Sequence, residues 1–360
     1  MAYVPFFYIT PVLLAEVEQV AAFRERIQNA VVDLAWIPAL QKDTRTRNVH
    51  ASTAIEGNPL TLEQVRALEE GRELSTPGAR PMREVINYFA GLRYVEKHAA
   101  KKAFHHADIL ELHRILAGEV MDQGEAGKYR MIAVQVGQYH PPPPDAVSGL
   151  MFELLEWWNS AAAKLSPVLS SAILHYRFEA IQPFADGNGR TGRALALWEL
   201  YRRGFDTHHI FAVDEYYWED RRAYYAALQG VREAGEDMSA WLEYCAAGLR
   251  QTLERVLLRI QTLQVGSAEK LVLRPRQEQL LYLLRDHGGM APAEIWAALG
   301  VSRQGAMDLL RPLLYAGVVE KIGGNKTGRY VLKSVLKKPR PVPKTSTPHC
   351  LLGKGAQFSI

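Results

Sequence analysis

From Pro11 to Gln41 apolar residues recur at helical spacing, with Leu13, Leu14, Val17, Val20, Ala21 and Phe23 on one stripe, so this segment reads mostly as helix. A polar run over residues 41–50 then leads into a helical segment that Glu56 closes, with Gly57, Asn58 and Pro59 as terminators. Thr61 and Gln64 have the spacing of a capping box and start the next helix. Residues 82–123 read as helix throughout, with Ile109, Leu110, Leu112, Ile115 and Leu116 as an apolar face. Residues 131–136 alternate, Gly137 marks a turn, and the pattern predicts a short hairpin; the prolines from Pro141 to Pro144 extend the chain before helices resume at Ser148. Trp157 and Trp158 read as core residues. Ser166 and Pro167 open an amphipathic helical run that reaches about Ile181, and Thr191 to Arg202 reads as the next helix, stopped by Gly204. Two more helical runs follow, the second from about Met238 to Leu263.

Beyond about Arg274 the periodicity shortens. Three helical runs open at Pro275, Pro292 and Ser302, and two strand-like runs, VVEKI and RYVL, flank the turn GGNKTG. This order is that of a winged helix-turn-helix, in which Arg303, Gln304 and Arg311 face outward from the third helix. The tail, residues 336–360, reads as a basic disordered segment. The expected fold class is mainly α: a helical core with a short β-hairpin flap, followed by this small second domain.

Composition narrows the class. Apolar content of 48% and charged content of 23% are those of a soluble globular protein. Two cysteines, Cys245 and Cys350, supply neither a disulfide framework nor a paired metal-ligand spacing, which points to a reducing cytoplasm. No basic n-region precedes the apolar N-terminal residues and no run is long enough to span a bilayer, so neither a signal peptide nor a membrane anchor is expected. Charge is uneven: Val265 onward holds 15 basic and 6 acidic residues, the remainder 28 and 33. A basic C-terminal module on an acidic body points to DNA as a partner of residues 270–335, with a protein contact as the alternative. His105, His106 and His113 lack a ligand pattern and read as surface or core histidines.

The chemistry concentrates in residues 178–193, FEAIQPFADGNGRTGR. Glycines at a helix start expose backbone N–H groups to an anion. Arg190 and Arg193 share a face of the following helix and add forked donors for phosphate oxygens. Asp186 is a hard oxygen ligand suited to a phosphate-bound magnesium ion. Tyr216, Tyr217, Tyr224 and Tyr225 are read as packing residues or as the wall of a base site. Glu56 sits in the last turn of its helix, facing the negative end of the dipole; on spacing alone it reads as a water-facing carboxylate.

The motif IQPFADGNGRTGR closely resembles the signature of the Fic (Fido) family, protein-modifying nucleotidyltransferases that usually move AMP from ATP to a target hydroxyl. SSAILHYRFEAI before the motif, AGKYR at the hairpin entry and EYYWEDRRAYYAAL after it agree, so the resemblance spans about Tyr3 to Leu263. STAIEG, Ser52 to Gly57, resembles the inhibitory motif of the class that carries it N-terminal to the core. The resemblance implies an N-terminal helical region with that motif in residues 1–100 and a catalytic core in residues 101–264. It implies that ATP is the nucleotide, with Mg2+ held by Asp186, an anion hole from Gly187, Asn188 and Gly189, and phosphates held by Arg190 and Arg193. Phe184, Tyr224 and Tyr225 belong to the implied nucleotide site, and Asn188 and Arg190 to the catalytic group. Glu56 then pairs with Arg193 and displaces the γ-phosphate, and residues 131–140 position an unidentified protein target. Gln182 stands where the family has its histidine base; an amide orients a hydroxyl but takes no proton. Two expectations follow: an adenylyltransferase of Ser, Thr or Tyr hydroxyls, autoinhibited and weakened or silenced at Gln182, or a non-catalytic ATP sensor that binds DNA or a partner through the winged helix. A homodimer is compatible with either module. Asp186 and Arg193 favour AMP transfer over transfer of other phosphate-linked groups.

Overall fold

The computed structural model describes residues 3–30, 37–72, 74, 78–206, 208–265, 275–324 and 328–332. The tail of residues 336–360, with Cys350, lies outside them, as does the centre of the GGNKTG turn. The chain divides into two compact units, Met1–Gln264 and Val265–Ile360.

The first unit is helical. Its elements are α1 (Pro11–Gln28), α2 (Ile37–Ile55), α3 (Leu62–Glu69), α4 (Ala79–Lys97), α5 (His106–Ala117), α6 (Pro144–Asn159), a 3-10 turn (Ala161–Lys164), α7 (Pro167–Ile181), α8 (Asn188–Arg202), α9 (Val213–Glu219), α10 (Arg221–Glu233) and α11 (Ser239–Val265). Thr61 and Gln64 close a reciprocal capping box at the start of α3. Trp157, Trp158, Trp198 and Trp241 are fully buried, and Phe104 stacks on Trp158 at 3.9 Å between ring centres.

Several expectations change. Helix 82–123 is two helices, because the segment between α4 and α5 turns back at residues 98–105. Helix α6 starts at Pro144, earlier than Ser148, because a proline at the first helical position needs no N–H partner. The polar run 41–50 belongs to α2, and Thr44, Thr46, Arg47 and Asn48 are buried; Thr44 donates to Ile210 O and Asn48 to Phe211 O in the segment before α9. Helix α7 is not amphipathic; it is buried nearly all round, at the centre of the unit. Its polar residues pack inward onto α8, where Ser170 Oγ donates to the buried Glu199 and Ser171 Oγ to Ala196 O. The flap hairpin reduces to one antiparallel bridge, Val136 with Tyr139; Met131 to Gln135 make no strand ladder, since no neighbouring strand is there to accept their backbone groups.

The second unit has α12 (Pro275–His287), α13 (Pro292–Leu299), α14 (Arg303–Tyr315), β1 (Val319–Ile322) and β2 (Arg329–Leu332). Ser302 caps α14 through Gly305 N, and the strands pair antiparallel with Val319 opposite Leu332. Met290 bridges to Tyr330 on the far edge of β2. Leu280, Leu281, Leu284, Ile295, Leu310 and Leu313 form its core, while Arg303, Gln304 and Arg311 are exposed. Among the described residues of both units, no helix is long and apolar enough to cross a membrane.

Candidate active site

The centre of the first unit is the junction between α7 and α8. Helix α7 ends at Gln182, whose φ of 48° places it in the left-handed region, uncommon for a residue with a side chain. That turn aims the chain outward before Gly187, at φ 76°, starts α8. Asn188 clamps the loop from below: its Oδ1 accepts from Phe184 N at 2.9 Å and its Nδ2 donates to Phe184 O at 2.8 Å. The first backbone bond of α8 is Thr191 N to Gly187 O, so the N–H groups of Asn188, Gly189 and Arg190 precede the ladder.

Two buried residues hold this loop from behind. The His113 ring stacks on Phe184 at 3.5 Å, accepts from Gly127 N at Nδ1 and donates through Nε2 to Asp186 O, both at 2.9 Å. Burial lowers its pKa to about 4, so the ring stays neutral in this tautomer near neutral pH. Arg130 caps the other side, donating to Gln182 O, Ile132 O and Pro142 O and tying the flap to the end of α7. Neither role is visible in the sequence, because both run through backbone carbonyls of the target segment.

Above the loop lies a cavity of about 560 Å³, a size suited to a nucleotide. Gln182, Asp186, Gly187, Asn188, Gly189, Arg190, Arg193, Tyr224 and Tyr225 line it, together with Glu56, Glu84, Glu179 and the flap residues from Ala133 to Val136. Arg190 Nε and Nη1 and Arg193 Nη1 are buried without hydrogen-bond partners. Guanidinium donors without hydrogen-bond partners beside free helix N–H groups are complementary to phosphate oxygens; Glu84 lies 4.0 Å from Arg190 Nη1. Asp186 accepts from Gly187 N and keeps a partly exposed carboxylate beside Arg190, at 3.7 Å. This is a donor set fit for magnesium shared with a phosphate. Among the described residues no group of three or more His, Cys, Asp or Glu is placed to hold a metal ion.

Arg193 is fully buried and held by α2: its Nε donates to Ser52 Oγ at 2.7 Å, and its Nη2 to Ser52 O at 2.9 Å and to Glu56 Oε1 at 2.7 Å. Glu56 is therefore not a water-facing carboxylate. It leans over Gly189, where a Cβ would collide with its Oε1. Gly57, at φ 93°, turns the chain away immediately afterwards.

The residues singled out from sequence thus separate into two sets. Phe184 is buried and off the cavity wall, acting through its ring stack and its backbone; the Asn188 side chain is occupied by that backbone; Ser52 and Gly57 act on Arg193 and on the turn. Tyr224 is buried with its OH hydrogen-bonded to His175 Nε2 at 3.1 Å, and Tyr225 is half-exposed at the rim. Tyr216 and Tyr217 pack against α11, where Tyr244 stacks on Tyr217.

Residues 103–200 match the sequence model of the Fic/DOC family. The chain carries a Fic/DOC domain. Over 228 residues it is 34% identical to protein adenylyltransferase fic-1 of Caenorhabditis briggsae, covering 62% of this chain and 43% of that protein. Over 221 residues it is 33% identical to protein adenylyltransferase Fic of Aedes aegypti, covering 60% of this chain and 42% of that protein. The chain therefore spans less than half the length of these curated relatives. A Fic family protein from Desulfovibrio desulfuricans G20 superposes on 94% of this chain and on all of its own, at 28% identity and TM-score 0.63. Fic-1 from C. elegans covers 70% of this chain and 74% of its own, at 29% identity and TM-score 0.62. The helical unit thus has the fold of these solved Fic proteins, with the family's sequence pattern in residues 103–200.

Proposed function

We propose that the Fic domain binds ATP and transfers its adenylyl group to a protein hydroxyl, restrained in the present state by Glu56. The observation that carries this reading is that Arg190 and Arg193, with three buried guanidinium nitrogens lacking hydrogen-bond partners, line one cavity together with an open helix N-terminus. Phosphates seated on Asn188, Gly189 and Arg190 are held by fixed dipoles rather than by reorienting water, which favours charge developing during transfer. Asp186 would hold magnesium, whose contribution when bound is to neutralise phosphate charge. Arg193 is the cation for the terminal phosphate, and Glu56 now occupies it. A carboxylate on that guanidinium competes with a phosphate for the same donors, so restraint is electrostatic and steric together. The target segment would lie along residues 131–140, where Met131 to Gln135 make no strand ladder, an arrangement suited to strand addition.

The test is incubation with labelled ATP and magnesium. A chain bearing Glu56→Gly and Gln182→His should label itself or an added protein strongly, and the unchanged chain weakly or not at all. Equal labelling by both would show that neither residue restrains the reaction; no labelling by the doubly substituted chain would remove the transferase reading.

A second reading is favoured by one observation: the position of the family's base is an amide, Gln182, while the binding groups are intact. In this reading the domain senses ATP without turnover, and the second unit, proposed as a winged helix-turn-helix, presents Arg303, Gln304 and Arg311 to DNA. Retention of the full chain on duplex DNA at low salt, lost with Arg303→Ala and Arg311→Ala together, supports it; no retention removes DNA as the partner.

A further inference from the structure

Resting on the adenylyl-transfer reading, we propose that Glu179 is the proton acceptor for the attacking hydroxyl, in place of the base that position 182 lacks. Five carboxyl groups line the cavity: Glu56, Glu84, Asp122, Glu179 and Asp186. Four are engaged elsewhere. Glu56 pairs with Arg193, Glu84 and Asp122 both face Arg80, and Asp186 holds Gly187 N. Glu179 Oε1 is buried with no hydrogen-bond partner, and Oε2 takes only the amide of Gln182, at 2.7 Å from Nε2. Glu179 lies in the last turn of α7 and Gln182 caps that helix, so the carboxylate lies against the residue that fills the family's base position. The neighbouring histidines are unsuited. His113 uses both ring nitrogens on Gly127 N and Asp186 O, and His175 lies off the cavity wall with burial holding its pKa at about 3.

The electrostatic setting agrees with the geometry. Burial raises the Glu179 carboxyl to about 7 against Arg193 on α8, while Glu56 at the end of α2 adds to the rise. Arg232 on α10 and the Gln182 amide favour the ionised form. His175 on the same helix and Tyr224 on α10 are its remaining titratable neighbours. A carboxylate of this kind is ionised above neutral pH yet basic enough to take a proton, which is what general-base catalysis requires. Departure of Glu56 removes a negative neighbour and eases ionisation.

In the step itself the hydroxyl replaces the Gln182 amide on Glu179 Oε2. Its oxygen bonds the α-phosphorus, the bond from that phosphorus to the bridging oxygen of the β-phosphate breaks, and pyrophosphate leaves with the electron pair. The hydroxyl proton passes to Glu179, which later releases it to water. The side-chain Oε1 of Gln182 is the acceptor that orients the hydroxyl.

The experiment uses the full chain with Glu56→Gly, α-phosphate-labelled ATP and magnesium. Self-labelling is followed from about pH 5.5 to about 8.5, and ATP affinity is measured on the same samples by calorimetry. Labelling should rise with pH through a midpoint below about 7, because burial still raises the Glu179 carboxyl while the contribution of Glu56 is gone. Adding Glu179→Gln should lower it by about 10²-fold without changing ATP affinity, and further addition of Gln182→His should restore it. Undiminished labelling with Glu179→Gln overturns the assignment. So does a Glu56→Gly chain that is inert where Glu56→Gly with Gln182→His labels. If both of those chains bind ATP and neither labels, adenylyl transfer itself is the reading that fails, and this assignment falls with it.

Discussion

Glu56 and Arg193, 137 residues apart, meet at 2.7 Å directly over Gly189. Their contact joins the end of α2 to the first turns of α8 and places a carboxylate on the wall of the cavity. The guanidinium is fully buried and Glu56 about one-third exposed, at 0% and 33% of side-chain surface. The pair is therefore anchored at the arginine and releasable at the glutamate.

Glu56→Gly should raise affinity for magnesium-ATP by tenfold or more, read by calorimetry. It should also lower the melting temperature of the nucleotide-free chain, because a buried charge loses one partner. Exposure of Glu56 and the remaining Ser52 contacts keep that loss to about 1–2 kcal/mol rather than the full value for a buried pair. Added ATP should recover it. An unchanged affinity would mean that Glu56 does not compete with the nucleotide.

Gly189→Ala should act on the same contact by another route. Its Cβ would collide with Glu56 Oε1, the movable end of a side chain, and so push Glu56 from Arg193. The stability loss caused by Glu56→Gly should then shrink by more than half in the Gly189→Ala background, in a double-mutant cycle by urea unfolding. Additive losses would contradict the close approach.

His113→Ala removes the ring beneath Phe184 and leaves Gly127 N and Asp186 O without partners. A loss of about 2–3 kcal/mol is expected in urea unfolding, with weaker ATP binding because the Asp186 loop loosens. The native ring titrates near 4 against an ordinary 6.5. Its contribution to stability is thus complete above about pH 6.5 and falls away as pH drops toward 4. His113→Ala should lack that limb of the acid transition.

Glu179 has the opposite sign. Its native carboxyl titrates near 7 against a usual 4.5, so the folded state holds the proton more tightly than the unfolded chain. The stability gained from that proton is complete below about pH 4.5 and is lost as pH rises to 7. Glu179→Gln, which cannot ionise, should therefore gain stability relative to the unchanged chain across that interval, by up to about 3 kcal/mol. A pH-independent difference would indicate a carboxyl that titrates normally.

Much of this protein was legible in its sequence because the signals are local. Helix starts at Thr61, Pro167 and Ser302, the glycine turn before α8 and the short periodicity after Arg274 depend on a few neighbouring residues. The phosphate-binding potential of Gly187 to Arg193 is likewise a property of one helix start. The tertiary structure decided what lay across the chain. Whether Glu56 faces water or Arg193 depended on α2 packing onto α8, and hydrophobic spacing carries no record of which distant cation a helix end will meet. The polar residues of α2 and α7 looked solvated or amphipathic until burial paired them with backbone carbonyls and with Glu199. The flap failed to form its ladder because alternation supplies side-chain faces, not a partner strand. Glu179, Arg130 and His113 were inconspicuous in one dimension. Their chemistry comes from desolvation and from backbone groups of other segments, and only a folded core creates both.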